Sequence, residues 1–219
     1  MAVKINRVVI FANGFLYPEY LENISKKDTV ICVDAACIWL LRQGIKADYA
    51  IGDFDSVTKE ELAEIKAALK KIQIYPQDKN ATDFELAVEL AIHIKPSDVL
   101  IFGALGSRLD HSLSAIFLLE RFLNKNIQAE IRDLNNLLTL IAGSYEIRNL
   151  RQYNYFSLQP LTDTAVVTVT GCRYPLSLKK IHRSSSLTIS NRKKKKNCLI
   201  KVHRGLVSLI LSRDTVNRQ

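Results

Sequence analysis

Two aspartates lie one residue apart in the stretch ADYAIGDFDSV (47–57), directly after an apolar segment that is typical of a buried strand. Asp53 and Asp55 carry like charges, which repel each other at short range unless a cation lies between them. Carboxylate oxygens suit Mg²⁺, an ion that commonly bridges to substrate phosphates. The pair therefore indicates a magnesium site, although an isolated Asp-x-Asp is more often a solvated turn.

Two further aspartates occupy comparable places along the chain. Asp34 follows the β-branched segment TVICV (29–33), and Asp83 opens a helical pattern after the loop DKNAT. In open parallel sheets, ligands bind at the carboxyl ends of the strands, so these carboxylates are expected to converge on one rim. The predicted metal ligands are Asp34, Asp53, Asp55 and Asp83.

The segment GALGSRLDH (103–111) has the composition of a phosphate site. Gly103 and Gly106 allow backbone N–H groups to approach an anion, the following helix offers its N-terminus, and Arg108 supplies a forked donor. His111 is a possible base, but a histidine at a helix start more often packs or caps. The chain has neither a GxxxxGK[ST] P-loop nor a GxGxxG dinucleotide fingerprint.

These residues need a scaffold, and the first part of the chain alternates strand-like and helix-like segments. We predict strands in 7–12, 29–35, 47–51, 72–75, 98–103 and 127–133, and helices in 18–25, 35–44, 58–71, 82–94 and 110–124. Such alternation, with apolar strands, predicts an α/β domain whose mostly parallel sheet has helices on both faces.

After about residue 145 the pattern changes to short alternating strands joined by turn residues. The predicted strands are YNYFSLQPL (153–161), AVVTVTG (165–171), SLTIS (186–190), NCLIKVH (197–203) and LVSLILS (206–212). They favour a smaller, all-β, sandwich-like domain. We place an α/β catalytic domain at 1–146 and a β-domain at 147–219.

The charge is distributed unevenly between the two parts. Residues 1–150 contain 17 Lys and Arg against 20 Asp and Glu, a net −3, whereas residues 151–219 contain 14 against 2, a net +12. The basic part could bind nucleic acid, but residues 179–204 contain no Phe, Tyr or Trp that could stack on bases. We therefore expect the run RKKKK (192–196) to form a solvated hairpin tip, and no nucleic-acid partner.

The four cysteines form no CxxC pair and no zinc spacing, so we expect reduced thiols in a cytoplasmic protein. No apolar run approaches the roughly 18–20 residues of a membrane span, so no membrane association is expected.

Taken together, the motifs VDAA (33–36), GDFDSV (52–57), TDFELA (82–87), GALGSRLDH (103–111) and SSSLTISN (184–191) resemble those of the thiamin pyrophosphokinases. The resemblance covers nearly the whole chain. It implies a homodimer that transfers pyrophosphate from ATP to thiamin in a Mg²⁺-dependent reaction and releases AMP. It also implies that the second domain binds thiamin.

The resemblance assigns roles to individual residues. The catalytic residues it implies are Asp53, Asp55, Asp83, Arg108 and Asp110. The cofactor-binding and substrate-binding residues it implies are Asp34, Gly103, Gly106 and Arg108 toward magnesium and ATP, and Ser190 and Asn191 toward thiamin.

Three residues depart from the family pattern: Asn80 stands where an acidic residue is common, Thr188 replaces a glycine, and Arg192 replaces an acid. The first departure bears on the metal site and the other two on the thiamin pocket.

Another interpretation of the same aspartates is a magnesium-dependent nucleotide hydrolase, with water as the acceptor. It would need no thiamin pocket.

Overall fold

The computed structural model describes residues 7–69, 71–76, 78, 80–147, 152–195 and 197–214. Within these residues the chain forms thirteen β-strands, four α-helices and one 3-10 helix. It divides into two compact units, Met1–Leu134 and Asn135–Gln219. The boundary was predicted at 146/147, and the difference corresponds to two strands after residue 135 that the sequence analysis did not predict.

The first unit is built on six parallel strands in the order β4-β3-β2-β1-β5-β6. Their bounds are β1 Arg7–Phe11, β2 Thr29–Val33, β3 Tyr49–Gly52, β4 Ile72–Ile74, β5 Asp98–Phe102 and β6 Gln128–Arg132. The central strands are buried along almost their whole length, because both faces of a parallel sheet are covered. The predicted α/β architecture is confirmed.

Four helices connect these strands: α1 Ala36–Arg42, α2 Lys59–Ala68, α3 Asp83–Ile94 and α4 Leu109–Leu123. The segment predicted as the first helix forms a 3-10 helix, Pro18–Asn23. Helices α1 and α2 pack together, as do α3 and α4. Thr82 caps α3, since its Oγ1 accepts a hydrogen bond from the N–H of Glu85 at 3.2 Å.

The second unit is a two-sheet β-structure. Its strands are β7 Asn136–Ile141, β8 Ser144–Ile147, β9 Tyr155–Pro160, β10 Thr164–Thr170, β11 Leu176–His182, β12 Cys198–Arg204 and β13 Val207–Ser212. One sheet contains β7-β13-β9 and the other β11-β10-β12-β8, and all these pairs are antiparallel. Side chains of both sheets form one buried apolar cluster, so the predicted all-β second domain is confirmed.

One predicted strand of this unit is wrong. Residues 186–190 form a turn instead. The turn is held against β9 by two backbone hydrogen bonds between Phe156 and Asn191, both 2.9 Å, and by the N–H of Leu158 on the carbonyl of Thr188 at 3.1 Å. These contacts give the backbone N–H and C=O groups hydrogen-bond partners without a regular β-ladder, although the sequence SLTIS alternates like a strand.

The basic run is therefore not a hairpin tip between two strands. Lys193 forms an isolated β-bridge with Cys172, and its Nζ donates to the carbonyl of Ile147 at 3.2 Å. The N–H groups of Lys194 and Lys195 both donate to the carbonyl of Gly171, at 2.9 and 3.0 Å. The side chains of Lys194 and Lys195 are exposed as expected, and Lys196 lies outside the described residues.

The cysteines differ from the prediction of four reduced thiols. Cys32 and Cys37 form a disulfide, with their Cα atoms 5.1 Å apart, because the turn between β2 and α1 brings the two residues together. Cys172 and Cys198 are free and buried, and burial raises the pKa of Cys198 to about 11. No helix among the described residues is long and apolar enough to cross a membrane.

Candidate active site

Three aspartates from separate segments meet at the carboxyl edge of the parallel sheet. Asp34 follows β2, Asp53 follows the neighbouring strand β3, and Asp83 is the first residue of α3. Each offers a carboxylate oxygen, and these oxygens all lie within 4.8 Å of one another. We call this group the aspartate cluster (Asp34, Asp53 and Asp83). Asp55 is the one predicted ligand outside the cluster.

The spacing of Asp53 and Asp55 has a structural cause in the residue between them. Phe54 has a left-handed backbone, with φ +58°, and its side chain is only 3% exposed. Its ring anchors the loop in the core, so the two flanking aspartates stay outside the core. The N–H of Asp55 donates to Oδ1 of Asp53 at 3.1 Å, which fixes the turn.

Asp34 is held in place by its own backbone. Its φ is +46°, its N–H donates to the carbonyl of Ile51 at 3.0 Å, and its carbonyl accepts from the N–H of Cys37 at 3.0 Å. Its Oδ1 accepts a hydrogen bond from the N–H of Phe54 at 3.3 Å. This carboxylate is therefore directed toward β3 and the other two aspartates.

The environment disfavours the charged form of Asp34. Burial, and then the negative charge of Asp83, raise the pKa of Asp34 to about 7, and Asp53 and Asp55 act in the same direction. The hydrogen bond from the N–H of Phe54 lowers the pKa but does not offset the other causes. A cation in the cluster would reverse these electrostatic effects.

The cluster lies in a cavity of about 750 Å³ in the first unit. The cavity is lined by all eight residues that were predicted in this unit: Asp34, Asp53, Asp55, Asp83, Gly103, Gly106, Arg108 and Asp110. His111 and Asn80 also line it. The site residues from the α/β domain are thus brought together as the sequence analysis expected.

The glycines of the 103–108 loop have a packing role that the sequence analysis missed. A side chain on Gly103, whose φ is +68°, would overlap the carbonyl oxygen of Ala12, and one on Gly106 would lie 3.2 Å from Cα of Gly14. The N–H of Gly14 donates to the carbonyl of Gly103 at 2.7 Å. Two backbone segments therefore approach closely, as only glycine allows.

The N–H of Gly106 is not directed at an anion in this structure. It donates to Oγ of Ser112 at 3.3 Å. The structure therefore does not show the N–H of Gly106 in the anion-binding role that the sequence analysis predicts for it.

Sequence analysis also missed the segment after β1. Ala12, Asn13 and Gly14 line the cavity beside the 103–108 loop. The dipeptide Asn-Gly directly after an apolar strand was the available signal, because strand ends at this edge of the sheet carry ligand-binding residues.

Arg108 and Asp110 form an exposed ion pair that also lines the cavity. The guanidinium donates two hydrogen bonds to the carboxylate, Nη2 to Oδ2 at 2.6 Å and Nε to Oδ1 at 3.2 Å. This pairing raises the pKa of Arg108 and lowers the pKa of Asp110. Arg108 also stands at the N-cap of α4, so it lies where the helix N-terminus favours anions.

The two predicted residues of the second unit lie in the 186–190 turn and just after it. Asn191 is only 6% exposed, and its side chain is bonded to backbone groups. Its Oδ1 accepts from the N–H groups of Tyr174 and Arg192 at 3.1 and 2.8 Å, and its Nδ2 donates to the carbonyl of Tyr174 at 2.9 Å. Ser190 has φ +57°, and its N–H donates to Oγ of Ser157 at 3.0 Å.

A smaller cavity of about 270 Å³ lies beside this turn. It is lined by Phe156, Leu158, Val169, Tyr174, Leu176, Leu187, Thr188, Ile189 and Asn191. Asn191 thus reaches a cavity, whereas Ser190 is not among the lining residues. Of the departures from the family pattern, Thr188 is buried and donates to the carbonyl of Leu158, and Arg192 stacks on the ring of Tyr155.

Comparison with known proteins relates both units to one family. The family model "Thiamin pyrophosphokinase, catalytic domain" matches residues 20–131, and "Thiamin pyrophosphokinase, vitamin B1 binding domain" matches residues 144–207. A thiamine pyrophosphokinase from Bacillus subtilis is 34% identical over 201 residues, which covers 91% of this chain and 94% of that protein.

Two solved structures are also similar over nearly the whole chain. The crystal structure of thiamine pyrophosphokinase from Bacillus subtilis has a TM-score of 0.88 at 30% identity and covers 95% of this chain and 100% of that one. The crystal structure of thiamin pyrophosphokinase from Geobacillus thermodenitrificans has a TM-score of 0.85 at 31% identity and covers 96% and 99%.

Proposed function

The chain belongs to the thiamin pyrophosphokinase family, and we propose that it transfers a pyrophosphoryl group from ATP to the hydroxyl of thiamin, giving thiamin diphosphate and AMP. The observation that carries the proposal is the 750 Å³ cavity, in which the aspartate cluster and the Arg108 loop lie together. The segment that matches the family's catalytic domain contains nearly all of this cavity's lining.

In the proposed reaction the hydroxyl oxygen of thiamin attacks the β-phosphorus of ATP and loses its proton to a nearby carboxylate or to water. The bond between the β-phosphorus and the oxygen that bridges it to the α-phosphorus breaks, and AMP leaves with that oxygen. Such a transfer depends on alignment and charge neutralisation more than on covalent help from the protein. Arg108 can donate two parallel hydrogen bonds to phosphate oxygens once these replace the carboxylate of Asp110. The N-terminus of α4 favours the same negative charge.

The aspartate cluster fits a divalent cation. Its donors are oxygen atoms from three carboxylates within 4.8 Å, the ligand type that Mg²⁺ prefers. Asp34, Asp53 and Asp83 would hold the ion, and Asp55 would lie beside it. When bound, Mg²⁺ would neutralise charge on the phosphates of ATP. Asn80 lines the cavity but offers no carboxylate to the ion.

For thiamin we propose the second unit, which matches the family's vitamin B1 binding domain. The 270 Å³ cavity there is mainly apolar, with the aromatic ring of Tyr174 and the side chain of Asn191 at its wall. An apolar wall with few polar groups is typical of a small-molecule site. Ser190 and Asn191 remain the proposed thiamin-facing positions. Asn191 lines this cavity and acts by ordering the backbone of Tyr174, whereas Ser190 precedes it in the chain and does not line the cavity.

A product assay tests the reaction. Purified protein is incubated with ATP, Mg²⁺ and thiamin, and the nucleotides are separated. We expect AMP and thiamin diphosphate in equal amounts, and no turnover after magnesium is chelated. ADP as the main product would instead identify a kinase that transfers a single phosphoryl group from ATP to thiamin. Consumption of ATP without thiamin would identify a nucleotide hydrolase, and either result would overturn the proposal.

We also infer a homodimer. Near the smaller cavity, the side chains of Tyr174 and Leu187 are 56% and 55% exposed, an apolar surface that a second copy can cover. Light scattering at working concentration should give the mass of two chains. A monomer with full activity would contradict the inference.

We propose a cytoplasmic location, because the co-substrate is ATP. Cell fractionation tests this location, and recovery of the protein outside the cytoplasmic fraction would contradict it.

A further inference from the structure

Gly52, the last residue of β3, lies directly against the carboxylate of Asp34. A Cβ atom built on Gly52 would overlap Oδ1 of Asp34 and would lie 2.8 Å from its Cγ and 3.3 Å from its backbone N. Real Cβ atoms essentially never approach a carbon atom to 2.8 Å. The Asp34 carboxylate therefore occupies the space that any side chain at residue 52 would need.

Neither residue can move away without losing other contacts. Asp34 is tied by its N–H to Ile51, by its carbonyl to Cys37 and by its Oδ1 to the N–H of Phe54. Gly52 is buried within the sheet, where it pairs with Ile74 in β4, and its carbonyl accepts from the N–H of Tyr75 at 3.0 Å. A side chain at residue 52 would thus force the Asp34 carboxylate to rotate.

We propose that Gly52 is a positioning residue for the aspartate cluster. Because it has no side chain, the carboxylate of Asp34 lies over its α-carbon and within 4.8 Å of the carboxylates of Asp53 and Asp83. The consequence for metal binding rests on the proposed function. The steric coupling between Gly52 and Asp34 does not, and it can be tested without a metal.

A double-mutant cycle in metal-free protein measures this coupling through chemical unfolding. Gly52→Ala should destabilise the wild type but should cost much less in Asp34→Ala, which lacks the overlapping atoms. The expected coupling is about tenfold in the folding equilibrium constant. Asp34→Asn keeps the shape of the carboxylate, so Gly52→Ala should cost as much there as in the wild type. Alanine at residue 52 must also adopt φ +158°, but that cost is present in every background and cancels.

Gly44→Ala is the matched control. Gly44 also has a positive φ, +74°, but a Cβ atom there would meet nothing within 4 Å. Gly44→Ala should lower the free energy of unfolding by the same amount in the wild type and in Asp34→Ala. If Gly52→Ala does not fold, the comparison moves to the double variants: Asp34→Ala/Gly52→Ala should fold and Asp34→Asn/Gly52→Ala should not.

Manganese binding tests the consequence for the cluster. Electron paramagnetic resonance measures the affinity for Mn²⁺, used as a stand-in for Mg²⁺. We expect Gly52→Ala to weaken binding about tenfold or more and Gly44→Ala to leave it unchanged. Equal cost of Gly52→Ala in all backgrounds, or unchanged Mn²⁺ affinity, would overturn the proposal. A wild type that binds no Mn²⁺ would overturn the metal site itself, while the unfolding cycle still reports the coupling.

Discussion

The aspartate cluster of the first unit and the 186–190 turn of the second, with Asn191 after it, use polar side chains in opposite ways. In the cluster, half-buried carboxylates approach one another, and burial, followed by the charges of the neighbouring aspartates, raises the pKa of Asp34. In and after the turn, Thr188 and Asn191 direct their polar atoms to the backbone. One arrangement disfavours its own charged state, and the other stabilises the local fold.

The difference separates two reasons why a polar residue occurs in a motif. Like charges brought together oppose folding, so a ligand that neutralises them is the physical reason to group them. A buried amide whose hydrogen bonds are made stabilises the turn without any ligand. Substitutions in the cluster should therefore change turnover with little loss of stability, and substitutions in the turn should do the reverse.

The largest effect should come from Asp53→Asn. The amide keeps the shape of the side chain but removes a negative ligand. We expect turnover to fall roughly a thousandfold, about 4 kcal/mol of transition-state stabilisation. The free energy of unfolding of the metal-free protein should stay the same or rise, because one repelling charge is lost. Steady-state kinetics and chemical denaturation measure the two quantities.

Asp163→Asn is the control for this substitution. Asp163 pairs with Arg183 at 2.8 Å, and its side chain is 89% exposed, so neither turnover nor the free energy of unfolding should change much.

Asp55→Asn sharpens the test. The sequence predicts equal roles for Asp53 and Asp55, whereas the structure leaves Asp55 outside the cluster. Asp55→Asn should therefore lower turnover less than Asp53→Asn does. An equal fall in turnover in the two variants would contradict the role of the cluster geometry.

The second effect concerns the turn. Asn191→Asp replaces Nδ2, which donates to the carbonyl of Tyr174, with an oxygen that repels it. We expect the free energy of unfolding to fall by about 1–3 kcal/mol. Turnover at saturating thiamin should fall far less than in Asp53→Asn. Asn154→Asp, at an exposed position, should be nearly neutral. A stable Asn191→Asp protein that loses turnover would place Asn191 among the groups that act on substrate.

The cluster could be predicted from sequence because its physical signals are local. Asp34 and Asp53 each come just after an apolar strand, and parallel strands end at one edge of the sheet. Asp83 follows Thr82, whose helix-capping pattern is also readable from the chain. The parallel sheet followed from the same alternation of strands and helices.

The rest depended on tertiary contacts that no local pattern shows. The stretch 186–190 alternates like a strand, but its long-range bonds to β9 make it a turn. Strand β11 was missed because most of its residues are exposed, including Lys179 and Lys180. The contact between Gly52 and Asp34 joins the end of β3 to the turn that follows the neighbouring strand β2. The Cys32–Cys37 disulfide depends on the same turn, which connects β2 to α1.

A third effect, smaller than the second, is a pH dependence confined to the cluster. In metal-free protein the pKa of Asp34 is raised from 3.8 to about 7. Between these values the native state holds a proton that the unfolded state has lost, so stability should fall as pH rises from about 4 to 7. Solvent screens part of this half-buried group, so the expected fall is on the order of 1 kcal/mol.

Asp34→Asn provides the comparison for that measurement, because the amide does not titrate. Chemical denaturation at pH 5 and pH 8 in the presence of a chelator should show the fall in the wild type and a smaller one in the variant. An identical pH dependence in both proteins would mean that Asp34 does not titrate in this window.

The smallest effect should come from the basic run, and it tests whether the second unit contributes charge to the reaction. Lys194 and Lys195 have exposed side chains, and their contact with Gly171 is made by backbone N–H groups that serine retains. Replacing both with Ser should leave turnover within about twofold and the free energy of unfolding within about 0.5 kcal/mol. Lys193→Ser is the informative counterpart, because its Nζ donates to the carbonyl of Ile147, and it should cost stability but not turnover. A large loss of turnover in the double variant at saturating substrate would mean that this run reaches the phosphates, and the division between a catalytic cluster and a structural turn would have to be abandoned.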